Sequence, residues 1–132
     1  MRLNTQDLRY MNAFEKLTGA CVVECFEAEG ALNFIVQEGS LGMAIGKKGS
    51  NITKVKSAIG KRVMVYEDGK DIDSFLKKLC SPMSPRITRG EGSLKVELPK
   101  RDRDDMPGRR IRIIKELVKR RFDIPEVNFV FV

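Results

Sequence analysis

Eight residues, Ile45-Gly46-Lys47-Lys48-Gly49-Ser50-Asn51-Ile52, constrain this chain more than any other stretch. Two glycines bracket two lysines. Leu41, Met43 and Ile45 precede them, and Ile52, Val55 and Ile59 follow at helical spacing. A short helix, a glycine turn and a second helix are the predicted result. Without side chains at Gly46 and Gly49, a sugar-phosphate strand can reach the main chain, where amides opening the second helix present partial positive charge. Lys47 and Lys48 add mobile cations. Ile45 and Ile52, supported by Leu41 and Val65, would floor a groove for unstacked bases, a geometry that suits single strands and not duplexes. The pattern is not a Walker A loop, which needs Gly-Lys-Ser or Gly-Lys-Thr after four intervening residues. It is not a dinucleotide fingerprint either, because the β-α-β spacing and its following acid are missing.

Charge is concentrated around this turn. The chain has 25 Lys plus Arg against 18 Asp plus Glu, an excess that favours an anionic partner without naming it. Between Gly39 and Tyr66 lie six basic residues (Lys47, Lys48, Lys54, Lys56, Lys61, Arg62) and no acid. Between Met106 and Phe122, Arg109, Arg110, Arg112, Lys115, Lys119, Arg120 and Arg121 face Glu116 alone. Two such patches suggest one continuous track for a polyanion.

Other chemistries are excluded by composition. With 0 histidines, triads built on an imidazole base and histidine-ligated zinc are ruled out. No metal, cofactor or catalytic residue is expected. The 3 cysteines, Cys21, Cys25 and Cys80, lack C-x-x-C spacing and are expected to be reduced, buried thiols. Cys21 and Cys25 are expected on one face of a strand. Arg2, Asp7 and Arg9 interrupt the N-terminus, and no apolar run reaches the ~20 residues of a bilayer span. A cytoplasmic chain without a membrane partner is the expectation.

The order of elements repeats. Leu8, Met11, Phe14 and Leu17 predict a helix over residues 4–18, with Asn4 or Thr5 as its cap. A hairpin follows, with runs at Cys21–Phe26 and Leu32–Val36 around Glu29-Gly30. The two helices of the glycine turn come next, then a strand at Arg62–Tyr66. A second cycle begins at Asp71: a helix through Ile72, Phe75, Leu76 and Leu79, strands at Arg86–Thr88 and around Leu94, Val96 and Leu98, a charged loop from Pro99 to Asp105, a helix through Ile111, Ile114, Leu117 and Val118, and a last strand after Pro125. A slide of 59 residues sets Gly49, Ile52, Val55 and Ile59 on Gly108, Ile111, Ile114 and Val118. The predicted domains are residues 1–70 and 71–132.

The arrangement helix, Ile-Gly-x-x-Gly-x-x-Ile, helix, strand resembles the K-homology (KH) domain, whose loop grips about four nucleotides. A helix and strand ahead of that core resemble its type II form. Two consecutive copies resemble the archaeal NusA-related transcription factors. The resemblance implies an α+β fold of two consecutive type II KH domains, each a small three-stranded sheet covered by helices. It also implies a non-enzymatic protein that binds single-stranded RNA, the nascent transcript, in transcription termination or antitermination. RNA polymerase is a further implied partner, and a monomer is favoured. The bacterial relatives' N-terminal and S1 domains are not expected here. Gly46, Lys47, Lys48 and Gly49 become the phosphate clamp, Ile45 and Ile52 the groove, and Ser50, Asn51, Lys54 and Lys56 its flank.

The second copy departs from the pattern, since its loop reads Asp105-Met106-Pro107-Gly108. Asp105 repels phosphate and Pro107 has no amide donor. That domain would bind RNA through Gly108, Arg109, Arg110 and Arg112, or serve as a docking platform. Three rival readings compete with this one: a metal-dependent nuclease on Asp102, Asp104 and Asp105, a ribosome-associated or ribosome-assembly KH protein sharing the clamp, and a protein-interaction module.

Overall fold

Asn4 starts the first helix by accepting from the Asp7 N–H at 2.8 Å, while Asp7 accepts from the Asn4 N–H at 3.4 Å. This reciprocal cap satisfies two of the donors that a helix start leaves over. The computed structural model describes residues 4–132, and Arg2 lies outside them. Two compact units emerge, Met1–Asp68 and Gly69–Val132.

In the first unit the order is α1 (Thr5–Thr18), β1 (Val22–Ala28), β2 (Ala31–Val36), α2 (Leu41–Ile45), a 3₁₀ turn (Lys47–Gly49), α3 (Ser50–Ile59) and β3 (Val63–Glu67). Strand β2 is central, antiparallel to β1 and parallel to β3. The parallel step needs a crossover, and α2, the turn and α3 supply it. Phe14 of α1 stacks on Phe34 of β2 with centroids 4.3 Å apart, both fully buried, and Cys25, Val36, Ala44, Val55 and Val63 complete that core. Leu8, expected on the core face of α1, is 48% exposed. The helix ends at Gly19 in the left-handed conformation, where an added Cβ would lie 3.1 Å from the Met43 sulfur. A side chain at that position would press on Met43 of α2.

Within the second unit, α4 (Ile72–Cys80), β4 (Arg86–Gly90), β5 (Ser93–Leu98), α5 (Gly108–Phe122) and β6 (Glu126–Phe131) follow the same scheme, with β5 central, antiparallel to β4 and parallel to β6. Asp71 caps α4 by accepting from the Ser74 N–H at 2.8 Å. Phe75, Leu76, Leu79, Leu94, Val96, Leu98, Ile114, Leu117 and Val118 are buried. In place of a second short α-helix, Lys100–Asp105 wind as a 3₁₀ stretch, where the sequence predicts a loop. These charged residues offer no apolar stripe for an α-turn to bury, so the chain closes tighter bonds, Asp102 N to Pro99 O and Met106 N to Arg103 O. Met106 alone goes into the core, 2% exposed.

Cys21 does not share the fate of the other thiols. It is exposed, whereas Cys25 and Cys80 are buried. Strand β1 starts at Val22, and its pairing shifts register between Val22 and Glu24. That irregularity breaks the two-residue alternation that would have set Cys21 beside Cys25. Burial raises the Cys80 thiol to about 11, a rise only partly offset by nearby Arg110. Because the folded value lies above the unfolded one, this group's contribution to stability is complete below pH ~9 and lost as pH rises through about 11. A disulfide reagent at neutral pH is expected to modify one thiol per folded chain, at Cys21, and all three after denaturation. Peptide mapping of the labelled sites checks this, and native labelling at Cys25 or Cys80 would contradict the packing.

Candidate nucleic-acid interface

Between α2 and α3 the backbone adopts a run of conformations that L-residues rarely take. Gly46 has φ 76°, ψ 173°, Lys48 φ 54°, ψ 30° and Gly49 φ 75°, ψ 16°. The first of these is open essentially to glycine alone. Space makes the same demand, since a Cβ on Gly46 would sit 2.7 Å from Asn51 Cγ and 2.8 Å from the Asn51 main-chain nitrogen. At Gly49 the nearest atom to an added Cβ is a methyl of Ile52 at 3.8 Å, so only the dihedral favours glycine there. The two glycines therefore act differently: Gly46 permits a close approach of α3, and Gly49 permits a bend.

Bonds at both ends fix the turn. Gly46 N donates to Gly42 O at 2.8 Å and Gly49 N to Gly46 O at 3.1 Å. Asn51 Nδ2 donates to Met43 O at 2.7 Å, and Thr53 Oγ1 to Gly49 O at 2.8 Å. No side chain among the described residues caps the start of α3. Lys47, Lys48 and Ser50 are exposed, with Gly46, Gly49 and Asn51 half-buried. Ile45 is 39% exposed, while Ile52, Leu41 and Val65 lean on the core of the first unit.

The predicted basic residues sort by helix phase. At ~100° per residue, Lys54 and Lys56 flank buried Val55 on opposite sides of α3. Lys56 lies one turn beyond Ile52 and shares its flank; Lys54 belongs to the other. Lys61 is paired with Glu27 at 2.6 Å and stands 5.3 Å from the Tyr10 ring centroid. Its hydrogen bond to Glu27 raises its pKa and helps keep it protonated. Lys61 thus ties the α3–β3 turn to β1.

The second unit has no counterpart of the glycine turn. Gly108 is the first residue of α5 and its φ is not positive, Pro107 precedes it in an extended conformation, and Met106 is buried. An Asp105-Met106-Pro107 approach thus replaces the left-handed bend. Arg110 is held inside the fold: its guanidinium donates to Asp105 O at 3.0 Å, Leu79 O at 3.0 Å and Ser81 O at 3.1 Å. It closes the C-terminal end of α4 onto the start of α5. Arg110 precedes buried Ile113, Ile114 and Leu117 by three, four and seven residues, which sets it on the inward side of α5. Arg109 and Arg112 are exposed on the other side. The acids Asp102, Asp104 and Asp105 do not converge; among the described residues no group of three His, Cys, Asp or Glu side chains could hold a metal ion. No helix of the described residues is long and apolar enough to cross a membrane.

A Gly-x-x-Gly loop is the element by which KH domains hold a nucleic-acid backbone, and Gly46–Gly49 has that spacing here. The sequence model of the family described as KH domain matches residues 10–84, more than half of the chain, and the chain belongs to that family. It is similar to two archaeal proteins each named "Probable transcription termination protein NusA". The one from Methanococcus vannielii is 35% identical over 83 residues, 63% of this chain and 48% of that protein. The one from Halococcus morrhuae is 29% identical over 137 residues, 97% of this chain and 99% of that protein. The match thus spans about half the length of the first and nearly all of the second. A solved structure titled "Crystal structure of APE1850" superposes with a TM-score of 0.85 at 23% identity, covering 97% of this chain and 100% of that one, a likeness of fold.

Two outcomes follow from the geometry. Gly46→Ala is expected to cost roughly 2–4 kcal/mol in urea unfolding, and Gly49→Ala about 1 kcal/mol. Equal costs would contradict the close approach of α3. Arg110→Ala is expected to lower the melting temperature of the second unit, while Arg109→Ala leaves it unchanged. Melting of both variants followed by circular dichroism decides this.

Proposed function

We propose that this chain is a tandem of two type II KH domains, residues 1–70 and 71–132, that binds single-stranded RNA and acts on nascent transcripts in termination or antitermination. The observation that supports this most is the Gly46–Gly49 turn. Its backbone can exist only without a side chain at Gly46, and it leaves Lys47 and Lys48 in solvent over the opening of α3. In this reading the phosphates lie along Gly46–Gly49, the two ammonium groups close over them, and bases rest on Ile45 and Ile52 with Lys56 beside them. Lys54, on the other flank, steers by charge alone. The tandem reading draws on the repeated strand order and pairing, and the transcriptional role on the archaeal relatives' name. RNA polymerase is a partner of the same proposal.

The second domain contributes less in this reading. Arg109 and Arg112 meet phosphate, Gly108 gives no clamp, and Arg110 is withheld by its three carbonyls.

Fluorescence anisotropy with a labelled single-stranded oligoribonucleotide tests the reading. Lys47→Asp with Lys48→Asp should abolish most binding without unfolding, since both side chains are exposed. Arg109→Ala with Arg112→Ala should weaken it several-fold and lower the steepness of the salt dependence by ~0.7 for each phosphate no longer neutralised. Wild-type affinity in the Lys47/Lys48 variant would overturn the clamp. Crosslinking to cellular RNA is expected to recover nascent transcripts; recovery of ribosomal RNA instead would move the function to the ribosome.

A further inference from the structure

Asn51 stands within the predicted RNA-binding run, yet its amide is already engaged inside the protein. Nδ2 donates to Met43 O at 2.7 Å, which links the second residue of α3 to the third residue of α2 across the turn. The same side chain fills the space a Gly46 Cβ would need, with Cγ and Cβ 2.7 and 2.9 Å from that position. Helix α2 has five residues, too few to hold a helical conformation unaided. Its C-terminal end and Gly46 therefore depend on what they pack against. At the opposite end of the turn, Thr53 Oγ1 secures the Gly49 carbonyl. Side chains of α3 thus hold both glycines, and the two lysines between them stay exposed.

We propose that Asn51 is a positioning residue, not an RNA contact: it braces α2 against α3 so that the Gly46–Gly49 backbone is already shaped for a sugar-phosphate strand before RNA arrives. This rests on the clamp assigned above. The bond to Met43 O takes one of the amide's two N–H groups and, with Cγ and Cβ packed against Gly46, fixes the side chain's orientation; turning the amide toward a base would break that bond to make another, which gains little. A braced turn, in contrast, spares the ordering that a loose one would undergo on binding.

The experiment compares Asn51→Ala, Asn51→Leu and Lys47→Ala in the full chain. Leucine keeps the branched bulk against Gly46 and removes the donor. Anisotropy titrations with a single-stranded oligoribonucleotide at several salt concentrations give affinity and salt slope, and amide hydrogen exchange of residues 46–49 reports the order of the turn in the RNA-free protein. Both Asn51 variants should bind about 3- to 10-fold more weakly, with an unchanged salt slope and faster exchange at residues 46–49. Lys47→Ala should lower the slope by ~0.7 and leave exchange as in wild type. Wild-type affinity in both Asn51 variants, or weaker binding with wild-type exchange at the turn, overturns the brace and leaves the clamp standing. Unchanged affinity and slope in Lys47→Ala overturns the clamp, and the brace's role in binding with it.

Discussion

The crossing of α2 and α3 at Gly46 is the contact on which the rest of the first unit's surface depends. Main-chain and side-chain atoms of Asn51 come within 2.9 Å of where a Cβ would stand. Only a hydrogen fits there, and only glycine takes φ 76° with ψ 173° at no cost. From that crossing follow the short α2, the left-handed Lys48 and Gly49, and an α3 whose first turn opens to solvent. The crossover made by α2, the turn and α3 brings β3 back parallel to β2. What the turn presents to solvent at its tip is two lysines.

The second unit shows what happens when that crossing is absent. Its strands keep the same order and the same pairing, so the fold does not need the glycine turn. The link between β5 and α5 is instead made by Met106 in the core, Pro107 before the helix and Arg110 across three carbonyls. These residues do different work: Met106 fills core, Pro107 leads in extended conformation into α5, and Arg110 meets the carbonyls of Leu79, Ser81 and Asp105. The two units thus share a strand order, and only the first carries the left-handed glycine turn.

Much of the fold can be read from the sequence, because the periodicities of α4 and α5 and the alternation in β5 are set by burial on a single face. The Gly46–Gly49 turn is legible for a related reason: two glycines three apart interrupt two runs of helical spacing, and the structure has α2, a turn and α3 there. What escapes is set by bonds between segments distant in the chain. Strand alternation counted from Cys25 puts Cys21 on the same face, but a register shift that local sequence does not mark intervenes. Asn51 and Arg110 are polar and lie in basic runs, which points them toward a ligand on sequence grounds alone. Their partners, Met43 O, Leu79 O and Ser81 O, are main-chain atoms eight to thirty-one residues away and carry no side-chain signature. The 3₁₀ stretch at Lys100–Asp105 reads as loop in the sequence, since its charges conceal that only Met106 is buried.

The most direct test of the central claim is the set of backbone amide resonances of the whole chain, followed as a single-stranded oligoribonucleotide is added. The account predicts that Gly46, Lys47, Lys48, Gly49 and the first turn of α3 shift most, and that the 105–108 segment of the second unit shifts less. Large shifts elsewhere in the chain, with Gly46–Gly49 unmoved at saturation, would contradict it.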